Sequence, residues 1–405
     1  MSERSLGRVS NMKTAIVSGA RTPIGKMGGV LSPLKAAELG GIVLEEALKR
    51  AQVNAERVDE VIMGQVLQAG AGQLPSRQAA HAAGIPWRAK TETINKVCAS
   101  GMRAVTLGDL SIRAGEASTV LAGGMESMSN APYYMKKARF GARMGDTTLL
   151  DGMIYDGLTC SFNDVHMGVY GNRTANELSI SREEQDRWAA RSQERAVAAI
   201  ESGIINEEIV SVSVKGRKGE TVLVRQDEAP RKGTTVDSLA QLKPVFGKEG
   251  TITAGNAPGV NDGACALLLM EAAQAEKQGK PILATIEAHH RLAVEPWDFP
   301  KTPGLVISEL LEKTKLTVAD IRRFEINEAF AAVALASNQI AGLDEEKVNV
   351  NGGAVAYGHP IGASGARILL TLAYELKRSG GGYGIAAICS GGGQGDAVLL
   401  HVKGE

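Results

Sequence analysis

Short apolar runs alternate with amphipathic stretches along most of the chain. Thr14–Ala20 reads as a buried strand followed by a turn at 21–25, and Leu39, Ile42, Val43 and Ala47 then mark one face of a helix ending near Arg50. Val58–Val66 predicts a second strand, and Arg77–Ala83 a helix stopped by Gly84 and Pro86. A helix is predicted from Ala99 to Ala114, with Met102, Val105, Leu107, Leu110 and Ile112 around much of its circumference, the mark of a buried helix. Thr119–Ala122 predicts a strand that turns at Gly123-Gly124. From Ser129 the pattern changes to Met, Gly and short polar turns. Within that stretch Ser181 and Glu184 form a capping box before a helix closed by Gly203, and Ser211–Val214 with Thr221–Val224 predicts a hairpin around Lys215–Gly219. Asn256–Gly263 reads as a loop and Ala264–Met270 as a buried strand.

The later part of the chain repeats this order. Ile282–Ala288 answers Thr14–Ala20, Ile321–Glu328 answers Val58–Val66, and Val348–Tyr357 with Gly358–Leu376 answers the strand-to-helix unit at Cys98. Ile385–Cys389 answers Thr119–Gly124, and Ala397–Val402 answers Ala264–Met270. The pattern is that of an α/β protein built from two duplicated halves, with a mostly parallel sheet and an inserted segment in the first half.

Composition narrows the picture. At 405 residues the chain exceeds a typical single core, and 45 basic against 45 acidic residues leave no overall field directed at nucleic acid. Cys98, Cys160, Cys265 and Cys389 are widely spaced, with no zinc-type spacing and no disulfide framework, which suits a reducing compartment. No apolar run is long enough to span a membrane, and Met1–Asn11 lacks the apolar core of a secretory signal.

Four residues carry candidate chemistry through their places in the repeat. Cys98 lies at the start of a buried helix, where unpaired amides and the helix dipole favour a thiolate. His359 opens the equivalent helix of the second half. Cys389 ends a strand in the turn Ser390-Gly391-Gly392-Gly393, and Asn327 ends another strand as a helix begins. If the halves pack about a pseudo-twofold axis, Cys98 and His359 become neighbours, the usual arrangement for an activated sulfur nucleophile. A capping role for Asn327 and a plain tight turn after Cys389 are the simpler alternatives.

The motifs Asn95–Val105 (NKVCASGMRAV), 327–332 (NEAFAA), 358–367 (GHPIGASGAR) and 389–395 (CSGGGQG), with 166–168 (HMG) and 253–264, resemble the thiolases over almost the full length. The resemblance is to the acetyl-CoA acetyltransferase (acetoacetyl-CoA thiolase) branch. It implies a five-layered αβαβα fold, with a first half at 1–128 completed by 254–278, an inserted loop domain at 129–253, and a second half at 279–405. It implies reversible condensation of two acetyl-CoA to acetoacetyl-CoA and CoA through an acyl-cysteine. Cys98 would be the nucleophile, His359 its activating base and Cys389 the base that takes a proton from acetyl-CoA. Asn327 would position a water, and the Cys98 and Gly391 amides would form the oxyanion hole. CoA thioesters would be substrates, with no cofactor and no metal.

For the CoA handle the resemblance implies Arg231, Ser238, His166, Met167, Phe246 and Phe330. Pro258 stands where many members carry a serine whose hydroxyl holds pantetheine; proline supplies neither that hydroxyl nor an N–H. The basic cluster Lys136, Lys137, Arg139 and Arg143 lies in the loop that makes dimer-to-dimer contacts in bacterial members, which implies a cytoplasmic homotetramer. Trp297 and Phe299 lie in the loop that forms part of the acyl-pocket wall. The alternatives are a degradative 3-ketoacyl-CoA thiolase of broader chain length and a non-catalytic thiolase-like binding protein; the latter predicts loss of one chemical group, and all four are present.

Overall fold

The computed structural model describes residues 12–216 and 219–404. Met1–Asn11 and part of the turn between the predicted hairpin strands therefore lie outside the described residues. The first half runs β1 (Thr14–Arg21), α1 (Ala36–Ala51), β2 (Glu60–Gly64), α2 (Pro75–Ala82), β3 (Lys90–Ile94), α3 (Ser100–Arg113) and β4 (Thr119–Ser127). The following segment carries α4 (Met167–Glu177), α5 (Arg182–Glu201) and a hairpin of Val212–Lys215 with Thr221–Val224. Next comes β5 (Asn261–Glu271), which starts inside the stretch expected to be loop. The second half runs β6 (Ala284–Ala293), α6 (Thr302–Thr314), β7 (Ile321–Ile326), α7 (Ala331–Ala341), α8 (Ser364–Arg378), β8 (Gly382–Ser390) and β9 (Gln394–Val402).

These strands form one sheet in the order β7-β8-β9-β6-β1-β5-β4-β2-β3. Outward from the β1–β6 junction, each half places its first, last, fourth and second strands in turn. The third is β3 in the first half; in the second it is reduced to a single bridge between Phe324 and Val348. Val348–Tyr357 is thus no strand: Asn349 turns into the left-handed region at φ +48°. Its side-chain amide instead pairs with Ile326 N and O at 2.8 and 2.9 Å, standing in for the missing ladder.

The sheet is not mostly parallel. Only β2–β3, β2–β4 and β7–β8 are parallel among the described strands, because the last strand of each half and its neighbours run antiparallel.

Alternate residues along the strands face two buried layers. On β1, Ala15 and Val17 pack toward α1 and α2, while Ile16 packs toward α3 and α8. On β8, Ile385 and Ala387 face α6 and α7, while Ala386 and Ile388 face the central helices. The two halves of the sheet, joined at β1–β6, lie on either side of α3 and α8, giving five layers, helix–sheet–helix–sheet–helix, with these two helices as the middle one.

These two helices approach through glycine. A Cβ on Gly101 would lie 2.9 Å from Ala366 N, and one on Gly365 would lie 2.5 Å from Met102 N. Each helical glycine costs about 1 kcal/mol against alanine. The buried Met102, Val105 and Ile112 return roughly 1.5–3 kcal/mol each, so packing overrides propensity. Leu110 departs from the expected all-round burial and is 42% exposed.

The Gly123-Gly124 pair does not turn the chain; β4 continues through it to Ser127. A Cβ at Gly123 would meet Cys265 O at 2.0 Å and one at Gly124 would meet Gly362 O at 1.9 Å, so both glycines permit backbone contact. α5 starts at the expected capping box, with Ser181 N donating to Glu184 Oε2 at 2.7 Å. It is tied to the second half by buried Glu328, whose carboxylate accepts from Trp188 Nε1, Ser192 Oγ, Asn349 Nδ2 and Val355 N, all at 2.9 Å.

Candidate active site

The turn between β3 and α3 is built by local side chains. Asn95 Oδ1 accepts from Val97 N at 2.9 Å; Ser100 Oγ accepts from Lys96 N at 2.8 Å and donates to Val97 O at 2.6 Å. From the other half, Ser390 Oγ donates to Lys96 O at 2.5 Å, and Asp396 pairs with Lys96 Nζ. These contacts hold Val97 at φ +45°, a conformation costing a β-branched residue about 1–3 kcal/mol. Cys98 follows directly, opening on a cavity. The backbone amides of Cys98 and Gly391 both favour the charged form of its sulfur, which places two N–H groups near where an oxyanion next to that sulfur would develop.

The helix-start argument for a thiolate does not survive folding. Burial pushes the Cys98 thiol up to about 11 despite the two amides, and the charge of Glu126 adds to the rise. The resting group is a thiol that needs a base.

His359 lines the same cavity, though not from a helix start: α8 begins five residues later, at Ser364. The histidine sits instead in the turn Gly358–Ala363, with its N–H donating to Asn261 Oδ1 at 2.9 Å. Ser364 Oγ donates to Pro360 O at 3.0 Å and lies 2.6 Å from His359 Nδ1. With its only proton committed, that hydroxyl can only accept, which assigns the proton of the neutral ring to Nδ1 and leaves Nε2 unprotonated, facing Asn327 Nδ2. Burial, helped by the nearby Arg367 charge, pulls the imidazole down to about 3.

A neutral thiol beside a neutral imidazole has a distinct pH signature. Alkylation of Cys98 by iodoacetamide is expected to accelerate continuously as pH rises from neutrality past 9. A resting thiolate–imidazolium pair would instead give a plateau between pH 6 and 8, and stopped-time mass spectrometry distinguishes the two.

Asn327 does not cap α7, whose N-terminal flanking residue is Phe330 with no side-chain cap. Its Nδ2 faces His359 Nε2 at 3.4 Å, and its buried Oδ1 has no hydrogen-bond partner among the described residues. Cys389 is fully buried at the end of β8; burial and then the nearby Cys98 raise its thiol well above the ordinary range.

The cavity has a volume of about 190 Å³, and its lining joins Cys98, His359 and Gly391 to His166, Met167, Phe246 and Phe330. His166 stacks on Phe246 with centroids 4.3 Å apart, and Phe246 meets Phe330 edge-on at 6.1 Å. His166 also caps α4 by accepting from Gly168 N at 3.1 Å. Pro258 and Phe299 line the same space, whereas Trp297 does not line it but packs behind, against the cluster that includes Phe299, with the Arg173 guanidinium over its ring.

Arg231 and Ser238 are not brought to this cavity. Arg231 is exposed beside α5, its backbone held by Gln193, and the exposed Ser238 donates its hydroxyl to Thr235 O at 2.7 Å. Three residues that sequence reading passed over, Asn261, Ser364 and Glu126, organise the histidine turn. Ser364, inside the GHPIGASGAR motif, and Asn261, inside the 253–264 motif, carried a local signal; Glu126 lay outside the motifs.

Comparison with known proteins accords with this geometry. Residues 14–273 match the family description "Thiolase, N-terminal domain" and residues 280–402 match "Thiolase, C-terminal domain". The chain belongs to the thiolase family. Among similar thiolases is a "Probable acetyl-CoA acetyltransferase" of Mycolicibacterium smegmatis, 50% identical over 95% of this chain and 100% of that protein. An "Acetyl-CoA acetyltransferase" of Cupriavidus necator is 50% identical over 96% of this chain and 99% of its own length. Another of the same name, from Pseudomonas aeruginosa, is 48% identical over 95% and 98% respectively.

Proposed function

We propose that this thiolase is an acetyl-CoA C-acetyltransferase, interconverting two acetyl-CoA with acetoacetyl-CoA and CoA through an acetyl-Cys98 intermediate. The observation that carries the reading is one apolar cavity lined by the Cys98 thiol, the Gly391 turn and a neutral histidine whose Nε2 faces Asn327 Nδ2. As the Cys98 sulfur attacks the thioester carbonyl, its proton passes to His359 Nε2. The carbonyl oxygen becomes an oxyanion on the Cys98 and Gly391 amides, each such donor contributing roughly 3–4 kcal/mol.

Proton bookkeeping assigns the second cysteine. The departing CoA thiolate needs a proton; if Cys389 donates it, Cys389 is left as the thiolate required next, with the His359 imidazolium to balance the charge. Cys389 then removes a proton from the methyl of the second acetyl-CoA. His359 and a water on Asn327 hold the enolate oxygen, and the new C–C bond forms at acetyl-Cys98. The Cys98 thiolate leaves and recovers its proton from His359. No cofactor enters this cycle.

The reading extends to a homotetramer in a reducing cytoplasm. Its support is the exposed Tyr133, Phe140 and Met144 flanking the basic cluster, together with four unpaired cysteines. Among the described residues no helix is long and apolar enough to cross a membrane.

Thiolysis rates on acetoacetyl-CoA and on a 3-ketoacyl-CoA four carbons longer test the substrate. The shorter substrate is expected to be favoured by about tenfold or more in kcat/KM, since Phe299 occupies the cavity wall. Preference for the longer one would replace this reading with a degradative thiolase.

A further inference from the structure

Glu126 has no part in the chemistry above, yet it is a fully buried carboxylate beside the reacting groups. It lies near the end of β4, opposite Gly263 of β5. Its Oε2 accepts from Val66 N at 3.0 Å and from Gly362 N at 2.9 Å, and its Oε1 accepts from Leu67 N at 3.1 Å. Two of these amides belong to the chain leaving β2 in the first half. The third belongs to the histidine turn of the second half. The Gly362 peptide is further confined on its carbonyl side, since a Cβ on either Gly101 or Gly124 would collide with Gly362 O. From Gly362 the constraint passes along a short turn: Ala363 N and Ser364 N both donate to Pro360 O, and Ser364 Oγ bridges Pro360 O to His359 Nδ1.

We infer that Glu126 is a positioning residue for the reaction: its carboxylate, from the first half, fixes the Gly362 peptide and thereby the reach of His359 toward Cys98. The inference rests on the roles proposed for Cys98 and His359. A second consequence follows from charge. Burial is the main reason the Cys98 thiol stays protonated at rest, and the Glu126 charge adds to it. Burial raises Glu126 itself to about 7 against the pull of its three amides, with Asp262 adding to the rise. Asp262 is held in turn by Ser129 N and Oγ and by Ser127 Oγ.

Two substitutions separate geometry from charge. E126Q keeps the side-chain shape but removes the charge and turns an NH2 toward one of the amides. E126D keeps the charge and withdraws it from Gly362. Both are expected to remain folded by circular dichroism and to lower kcat for acetoacetyl-CoA thiolysis roughly 10–100-fold, the scale of a sub-ångström to 1 Å misplacement, with KM within about threefold. Only E126Q should also shift the pH midpoint of Cys98 alkylation, and the shift should be downward. In a double-mutant cycle with S364A, the losses in kcat should be less than additive, because both substitutions loosen the same turn. A folded variant of either kind with wild-type kcat, or a loss wholly in KM, overturns the inference. Wild-type enzyme that never acetylates Cys98 would overturn the catalytic reading beneath it, a separate and earlier result.

Discussion

Cys98→Ala is expected to abolish acetyl-enzyme formation and to lower acetoacetyl-CoA thiolysis by roughly 10⁴–10⁶, the scale seen when a nucleophile is lost from an otherwise intact site. The substitution removes the sulfur and leaves the rest of the site standing. The turn is held by Asn95, Ser100 and Ser390 through backbone and neighbouring side chains, none of which involves the Cys98 thiol. Stability should change little, because the residue borders an open cavity and alanine keeps the Cβ. Labelled acetyl-CoA followed by denaturing mass spectrometry reads the outcome directly. Label that still became protein-bound would assign the nucleophile elsewhere, with Cys389 the first candidate.

The chemistry at that cysteine was legible in sequence because its parts are local. A short motif brings Cys98 to the foot of α3, another brings Cys389 to a glycine turn, and the order of strands repeats closely enough to pair the halves. What sequence did not show is what distance along the chain conceals. The proton on His359 Nδ1 is assigned by Ser364, and the turn is held by Asn261 and Glu126, which lie 98 and 236 residues away from their partners. The expected thiolate at Cys98 fails for the same reason. A helix terminus is a local feature, whereas the burial that outweighs it comes from both halves at once. The glycines at 123 and 124 look like a turn in one dimension and prove to be contact points in three. The parallel sheet expected from alternating strands and helices fails because direction is settled by how β5 and β9 return, which periodicity does not encode.

This division of labour also explains the shape of the site. On the proposed mechanism, the first half contributes the sulfur and the carboxylate and amide groups that hold the turn; the second contributes the base, the second cysteine and one of the two oxyanion amides. The contact surface between halves is where β1 meets β6 and where α3 crosses α8 on glycine. The inserted segment adds His166, Met167 and Phe246, which give one side of the cavity an aromatic, apolar face suited to a flexible chain rather than a charged group.

Cys389→Ala is expected to separate the two half-reactions. Acetylation of Cys98 should persist, since the nucleophile, His359 and the two oxyanion amides are all retained, although CoA release slows where Cys389 no longer donates its proton. Condensation should fall by about 10²–10⁴, the range for loss of one positioned base. The physical case lies in the environment of this thiol. Burial opposes its ionisation, so a Cys389 thiolate, once formed against the His359 imidazolium, is a stronger base than an ordinary exposed one. That basicity is what a weakly acidic methyl next to a thioester requires. Alanine removes it and adds only a small void at a residue that is fully buried, so the fold should hold. The decisive readout is exchange of the acetyl methyl protons of acetyl-CoA with deuterated solvent, followed by NMR. Exchange should be lost in the variant while acetyl-Cys98 still accumulates. Undiminished exchange would move the carbon-acid step to His359 and leave Cys389 as a packing residue.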